Sequence, residues 1–311
     1  MSDSQTALPE GTPHQTLSTL LGTFRVPFLV LTPACVSVGV ATAALQGSTN
    51  LILTLLILAG ALLAHISVNM FNEYDDFTSG LDLTTVRTPF SGGSGALPAN
   101  PKAASLVHRI AWLTLCCSAL VGLFFVYLHS YTLIPLGLLG LFLLVSYTRW
   151  WVYHPGLCLI APGLGFGLLM VQGTHFALTG EYSVAAFAAS LCPTFLVSAL
   201  LLLNQFPDVE ADKAAGRNHF PIAKGRAASA RLYTLLLVLA YLSVIVSVLV
   251  GVLPALATVA LSTAPLALFT CTRVMSSPDN IPALRSAMGI NVILNLTTPT
   301  LLAIGIGWGA L

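Results

Sequence analysis

Residues 51–82 read LILTLLILAGALLAHISVNMFNEYDDFTSGLD. From Leu51 to Phe71 the run carries no Asp, Glu, Lys or Arg. A bilayer core about 30 Å thick is crossed by about 20 apolar residues rising 1.5 Å each, so the run predicts a membrane-spanning helix. A barrel strand would alternate apolar and polar positions over about 10 residues, and this stretch does not. Polar residues then arrive together. If the helix continues past Asn72, Asn72 and Asp76 stand one turn apart on one face, Gly80 can end it, and Asp82 follows.

The rest of the chain repeats the first half of that pattern. Apolar stretches at 26–45, 51–71, 110–128, 131–147, 157–178, 184–204, 232–251, 253–272 and 287–308 predict an all-α, multi-pass bundle of nine transmembrane helices. Of 311 residues 56% are hydrophobic and 7% charged, and the mean hydropathy is +0.88. A soluble domain carries about 25% charged residues, so a soluble enzyme is excluded. The net charge of +1 offers no basic footprint for nucleic acid. Six cysteines all lie in apolar stretches without a CxxC pair and read as small core hydrophobes. Residues 1–15 form a polar tail with no basic n-region, which does not read as a cleavable signal. The expected organisation is that tail followed by one transmembrane domain, 16–311.

All twelve Lys and Arg fall before the first span or in the second, fourth, sixth or eighth connection, and of the eleven acids only Glu181 lies on the other side. The positive-inside rule makes that side cytoplasmic and places the C-terminus outside. One of those connections contains Asn204-Gln205-Phe206-Pro207-Asp208-Val209-Glu210-Ala211-Asp212-Lys213. Asn204, Asp208 and Asp212 are spaced i, i+4, i+8, a stripe on a helical face with Pro207 as a kink. A lone carboxylate pair of this kind reads as solvated loop charge. Two such groups, each opened by Asn and both at helix ends on one side, point to chemistry. Mg²⁺ takes oxygen ligands, usually one or two carboxylates plus substrate phosphates, and nearby Lys and Arg neutralise remaining phosphate charge. The segment Arg87-Thr88-Pro89-Phe90-Ser91-Gly92-Gly93-Ser94-Gly95 is no P-loop, since no GK[ST] follows; it reads equally as a mobile lid or a flexible linker.

At these residues the chain resembles the UbiA superfamily of intramembrane prenyltransferases. The motifs are Asn72/Asp76/Asp82 and Asn204/Asp208/Asp212; the wording of 87–95 and of 204–216 is closest to the MenA-like branch, which prenylates a dihydroxynaphthoate. One departure stands at Tyr153-His154-Pro155-Gly156-Leu157-Cys158, where that branch usually reads Tyr-Arg-Gly-Leu-Gly-Glu. The resemblance implies Mg²⁺-dependent ionisation of a polyprenyl diphosphate, followed by attack of a small aromatic acceptor on the carbocation, in a bacterial inner membrane. It implies that Asp76, Asp82, Asp208 and Asp212 are catalytic and bind metal with Asn72 and Asn204. Arg87, Arg149, Lys213 and Arg217 would contact diphosphate. Asn69, Tyr74, Tyr147 and Tyr153 would form the acceptor and carbocation pocket, the tyrosines having an interfacial aromatic belt as their other reading. Two further readings stay open: a UbiA-type terpene cyclase with no external acceptor, and a lipid-diphosphate binder or transporter. Acids gathered at one membrane edge, rather than the midplane, count against the transporter.

Overall fold

The computed structural model describes residues 13–310, and the polar tail falls outside them except for its last three residues. The regular elements of the described chain are all helical, and no strand occurs among the described residues. An amphipathic helix, α1 (Pro13–Phe24), leads to Arg25, whose left-handed backbone (φ 52°) breaks the chain before α2 (Leu31–Ala44). Next come α3 (Leu51–Thr78), α4 (Ala104–Leu128), α5 (Ile134–Ser146) and α6 (Pro155–Gly163). A π-helical stretch (Leu164–Leu169) joins α6 to α7 (Met170–Thr179). The bundle closes with α8 (Val184–Asn204), α9 (Arg226–Leu249), α10 (Ala264–Ser276), preceded by a 3₁₀ run, and α11 (Ile281–Trp308).

Local chemistry sets several of these ends. Asn50, Ser183 and Asn280 accept hydrogen bonds from Leu53 N, Ala185 N and Ala283 N, at 3.0–3.1 Å, satisfying N–H groups that the first turn leaves free. Pro162 has no N–H to continue the helix, and the i→i+5 pattern begins two residues later.

Eight helical segments among the described residues are long and apolar enough to cross a membrane. The expected fourth span is the exception. Tyr131–Ser146 is apolar but short, about 24 Å at 1.5 Å per residue, because it ends at Tyr147 and the chain turns through 147–153.

Without a hydrophobic drive between helices in lipid, close approach depends on small residues. The main core joins α8, α9, α10 and α11 around Leu196, Leu203, Tyr233, Leu284 and Leu294. Gly163 and Gly167 let α6 and the π stretch lie directly on α8: a Cβ at Gly163 would collide with Ser198 Oγ and the Thr194 carbonyl, and one at Gly167 with Thr194 itself. Gly163→Ala forces backbone apart and is expected to destabilise the protein by about 1–3 kcal/mol. A lower melting temperature in detergent, with Gly165→Ala as the control that meets open space, checks this.

Candidate active site

α3 runs unbroken to Thr78, so Asn72 and Asp76 do share a face one turn apart. Gly80 then takes φ 81°, a conformation open to glycine, and starts a short helix, Leu81–Thr84, that carries Asp82. The second motif differs from the continuous stripe expected. α8 stops at Asn204, residues 205–208 make a turn in which Phe206 N bonds to Leu203 O, and a short helix, Val209–Ala214, resumes. Pro207, lacking an N–H, fits the break better than a kink. The outcome for the site is the same: Asn72, Asp76, Asp82, Asn204, Asp208 and Asp212 all line one cavity of about 800 Å³. Its other walls are largely apolar, from Ile57, Val121, Leu138, Phe166 and Leu201 among others.

A cation from the connection that follows α8 ties the motifs together. The Arg217 guanidinium pairs with Asp76 and, through Nη1, with Asp212 Oδ1 at 3.0 Å. His219 Nε2 lies 2.9 Å from Asp212 Oδ2. Burial works against the Arg217 charge, but Asp76 and Asp212 outweigh it and raise its pKa. Asp82 and Asp208 have no such partner. Burial pushes each carboxyl up to about 7, helped by repulsion from Glu73 and Asp76 at Asp82 and from Asp212 at Asp208.

Three buried oxygens in this cavity, Asp82 Oδ2, Asn204 Oδ1 and Asp208 Oδ1, have no hydrogen-bond partner. Unpaired buried acceptors beside an excess of carboxylates fit a hard cation with oxygen ligands. Among the described residues no three acidic, His or Cys side chains form a ready-made metal cage. A testable consequence follows from the raised carboxyls. In metal-free protein the folded state holds protons at Asp82 and Asp208 that the unfolded chain releases near the ordinary aspartate value of 3.8. Their contribution to stability is therefore full below about pH 4 and lost as pH rises through about 7. The melting temperature should fall between pH 5 and pH 8, and Mg²⁺ should raise it more at pH 8 than at pH 5.

The other expected residues divide. Asn69 lines the cavity, its Nδ2 donating to the Phe24 carbonyl at 2.9 Å. Tyr147 lines it too, with its hydroxyl 3.7 Å from Cys158 Sγ, which also accepts from Gln205 Nε2 at 3.2 Å. Tyr74 is absent from the lining and stacks on His108 with ring centroids 4.2 Å apart. Tyr153 and Lys213 are exposed and away from it. Arg149, also exposed, pairs with Asp75 at 3.3 Å. Arg87 lies outside the lining but donates to the Asp82 carbonyl at 2.9 Å. The sequence reading missed Arg25, Glu73 and His219. Glu73 stands inside the first motif and Arg25 and His219 near cavity elements, but nothing in their spacing announces their partners.

The UbiA prenyltransferase family matches residues 30–293. The chain belongs to the UbiA prenyltransferase family. A 1,4-dihydroxy-2-naphthoate octaprenyltransferase of Bacillus subtilis (strain 168) is 27% identical over 225 residues, covering 70% of this chain and 69% of that protein. A UbiA homolog from Aeropyrum pernix K1, solved in its apo form, superposes with a TM-score of 0.66 at 18% identity, over 90% of this chain and 97% of that one. A UbiA homolog from Archaeoglobus fulgidus bound to DMAPP and Mg²⁺ superposes at 0.62 with 13% identity, over 94% and 97%. This UbiA prenyltransferase, with eight long apolar helical segments among its described residues, is an integral membrane protein.

Proposed function

We propose that this enzyme transfers a polyprenyl group from an allylic diphosphate to a dihydroxynaphthoate-like aromatic acceptor, with Mg²⁺, in the making of a membrane quinone. The observation that carries the reading is the convergence of both Asn/Asp groups, bridged by Arg217, on one largely apolar cavity. The name of the Bacillus subtilis relative supports the acceptor class, and the ligands of the Archaeoglobus fulgidus homolog support donor and metal.

Asp76, Asp82, Asp208 and Asp212, with Asn72 and Asn204, would hold Mg²⁺, which when bound neutralises charge developing on the departing diphosphate. Arg217 is the basic residue of the expected four that lines the cavity, so it would meet diphosphate directly, while Arg87, Arg149 and Lys213 would act from outside the lining. The apolar walls accept the isoprenoid chain and keep water from the cation. Tyr147 presents an aromatic ring and a hydroxyl at the same cavity, and with Asn69 would orient the acceptor. If the short α5 is a ninth crossing beside the eight long segments, the N-terminus and both acidic segments would be cytoplasmic and the C-terminus outside.

The test is an assay in nanodiscs with geranylgeranyl or longer diphosphate, Mg²⁺ and a panel of dihydroxynaphthoates. Prenylated acceptor and diphosphate should appear in equal amounts. Diphosphate with a cyclised hydrocarbon and no prenylated acceptor would assign a cyclase; no diphosphate release, with EDTA making no difference, would refute both enzymes.

A further inference from the structure

Glu73 lies between Asn72 and Tyr74 in the first acidic segment, yet it has no part in the scheme above. Its side chain is wholly buried. Both oxygens are taken up by three donors: Arg25 Nε donates to Oε1 at 2.6 Å, Ser94 N to Oε1 at 2.8 Å, and Ser94 Oγ to Oε2 at 2.6 Å. A carboxylate so occupied is poorly placed to bind metal. What it does instead is join three segments. Arg25 marks the left-handed break between α1 and α2, and Ser94 belongs to the glycine-rich stretch.

That stretch lines the acidic part of the cavity. Ser91, Gly92 and Gly93 line it beside Asp82 and Asp208. A Cβ on Gly93 would stand 2.7 Å from Asp82 Oδ1, and Gly93 takes φ 72°, so its backbone rests on that carboxylate in a conformation open to glycine. Thr88 N donates to the Ser91 carbonyl and Ser91 N to Thr88 Oγ1, each at 3.0 Å, and the two hydroxyls bond at 2.9 Å, closing the turn. The stretch is a hydrogen-bonded turn with a buried anchor.

We propose that Glu73 is a positioning residue for prenyl transfer: through Ser94 and Arg25 it fixes residues 91–93 as a roof that keeps water from the allylic cation. The inference rests on the prenyl-transfer reading. In that reaction the donor's C1–O bond breaks and its electron pair leaves on diphosphate. A ring carbon of the acceptor then forms the new C–C bond and the ring proton is lost. If water reaches the cation first, its oxygen forms a C–O bond, its proton passes to solvent, and the product is the prenyl alcohol. The roof therefore sets the ratio of alcohol to prenylated acceptor.

Glu73→Gln and Ser94→Ala are compared with the wild type in nanodiscs, using geranylgeranyl diphosphate, Mg²⁺ and 1,4-dihydroxy-2-naphthoate. The alcohol-to-transfer ratio should rise roughly tenfold in Glu73→Gln and less in Ser94→Ala, and the double variant should match Glu73→Gln because both act through one contact. Ser94→Ala removes the hydroxyl's bonds to Glu73 and to Ala96 N but keeps the ion pair, so it carries the test if Glu73→Gln does not fold. A wild-type ratio in the folded variants, whatever their total rate, overturns the roof. A wild type that releases no diphosphate overturns prenyl transfer itself.

Discussion

Asp208→Asn is expected to lower kcat/KM for prenyl transfer by about 10²–10³-fold, the scale of losing one group that stabilises developing charge, while making the metal-free protein more stable at pH 8. The two effects run in opposite directions for one physical reason. Asp208 Oδ1 is buried without a partner, and burial with the neighbouring Asp212 charge raises its carboxyl to about 7. At pH 8 the carboxylate is therefore a strained anion in the empty cavity, and a neutral amide of the same shape relieves it. With Mg²⁺ present the same charge becomes favourable, so the variant should also lose most of the Mg²⁺-dependent rise in melting temperature. A merely structural Asp208 would show reduced stability and reduced activity together.

Arg217→Gln carries the second large effect, of the reverse kind. Arg217 is the counter-ion shared by Asp76 of the first motif and Asp212 of the second. Removing one partner from a buried ion pair costs about 3–5 kcal/mol, because the remaining charge is left uncompensated. The metal-free variant should melt well below the wild type at pH 8. Mg²⁺ with an allylic diphosphate should restore part of the loss by supplying positive charge to the same carboxylates. Arg217→Lys should recover less than charge alone suggests, since an ammonium cannot present the planar fork that serves two carboxylates. Lys213→Ala, at an exposed position outside the cavity, should leave melting within about 0.5 kcal/mol of the wild type.

Much of the fold was legible because lipid imposes so simple a rule. Long apolar runs marked the helices, and the Asn72/Asp76 spacing held because α3 continues regularly past the apolar stretch. The fourth span came up short because hydropathy does not register where a helix ends: the run stays apolar and aromatic to Tyr147, but the helix turns there. The second motif was read as one helix because i, i+4, i+8 spacing survives a turn that happens to advance the chain comparably; Pro207 was the available signal. Tyr74 could have been placed from spacing alone. Two residues from Asp76 is about 200° around a helix of 3.6 residues per turn, which puts it on the opposite face, where it meets His108. The Arg217–Asp76 pair and the Glu73–Ser94 anchor were not legible, since each joins positions that only the packed bundle brings together.

The central claim is that both acidic groups act together on a metal-bound allylic diphosphate. Calorimetric binding of geranylgeranyl S-thiolodiphosphate, whose C–S bond resists ionisation, measures this most directly. The wild type in nanodiscs should bind it with Mg²⁺ and lose at least tenfold in affinity with EDTA, and Asp76→Asn and Asp208→Asn should each cause a comparable loss. Equal binding with and without Mg²⁺, unchanged in both variants, would contradict the account.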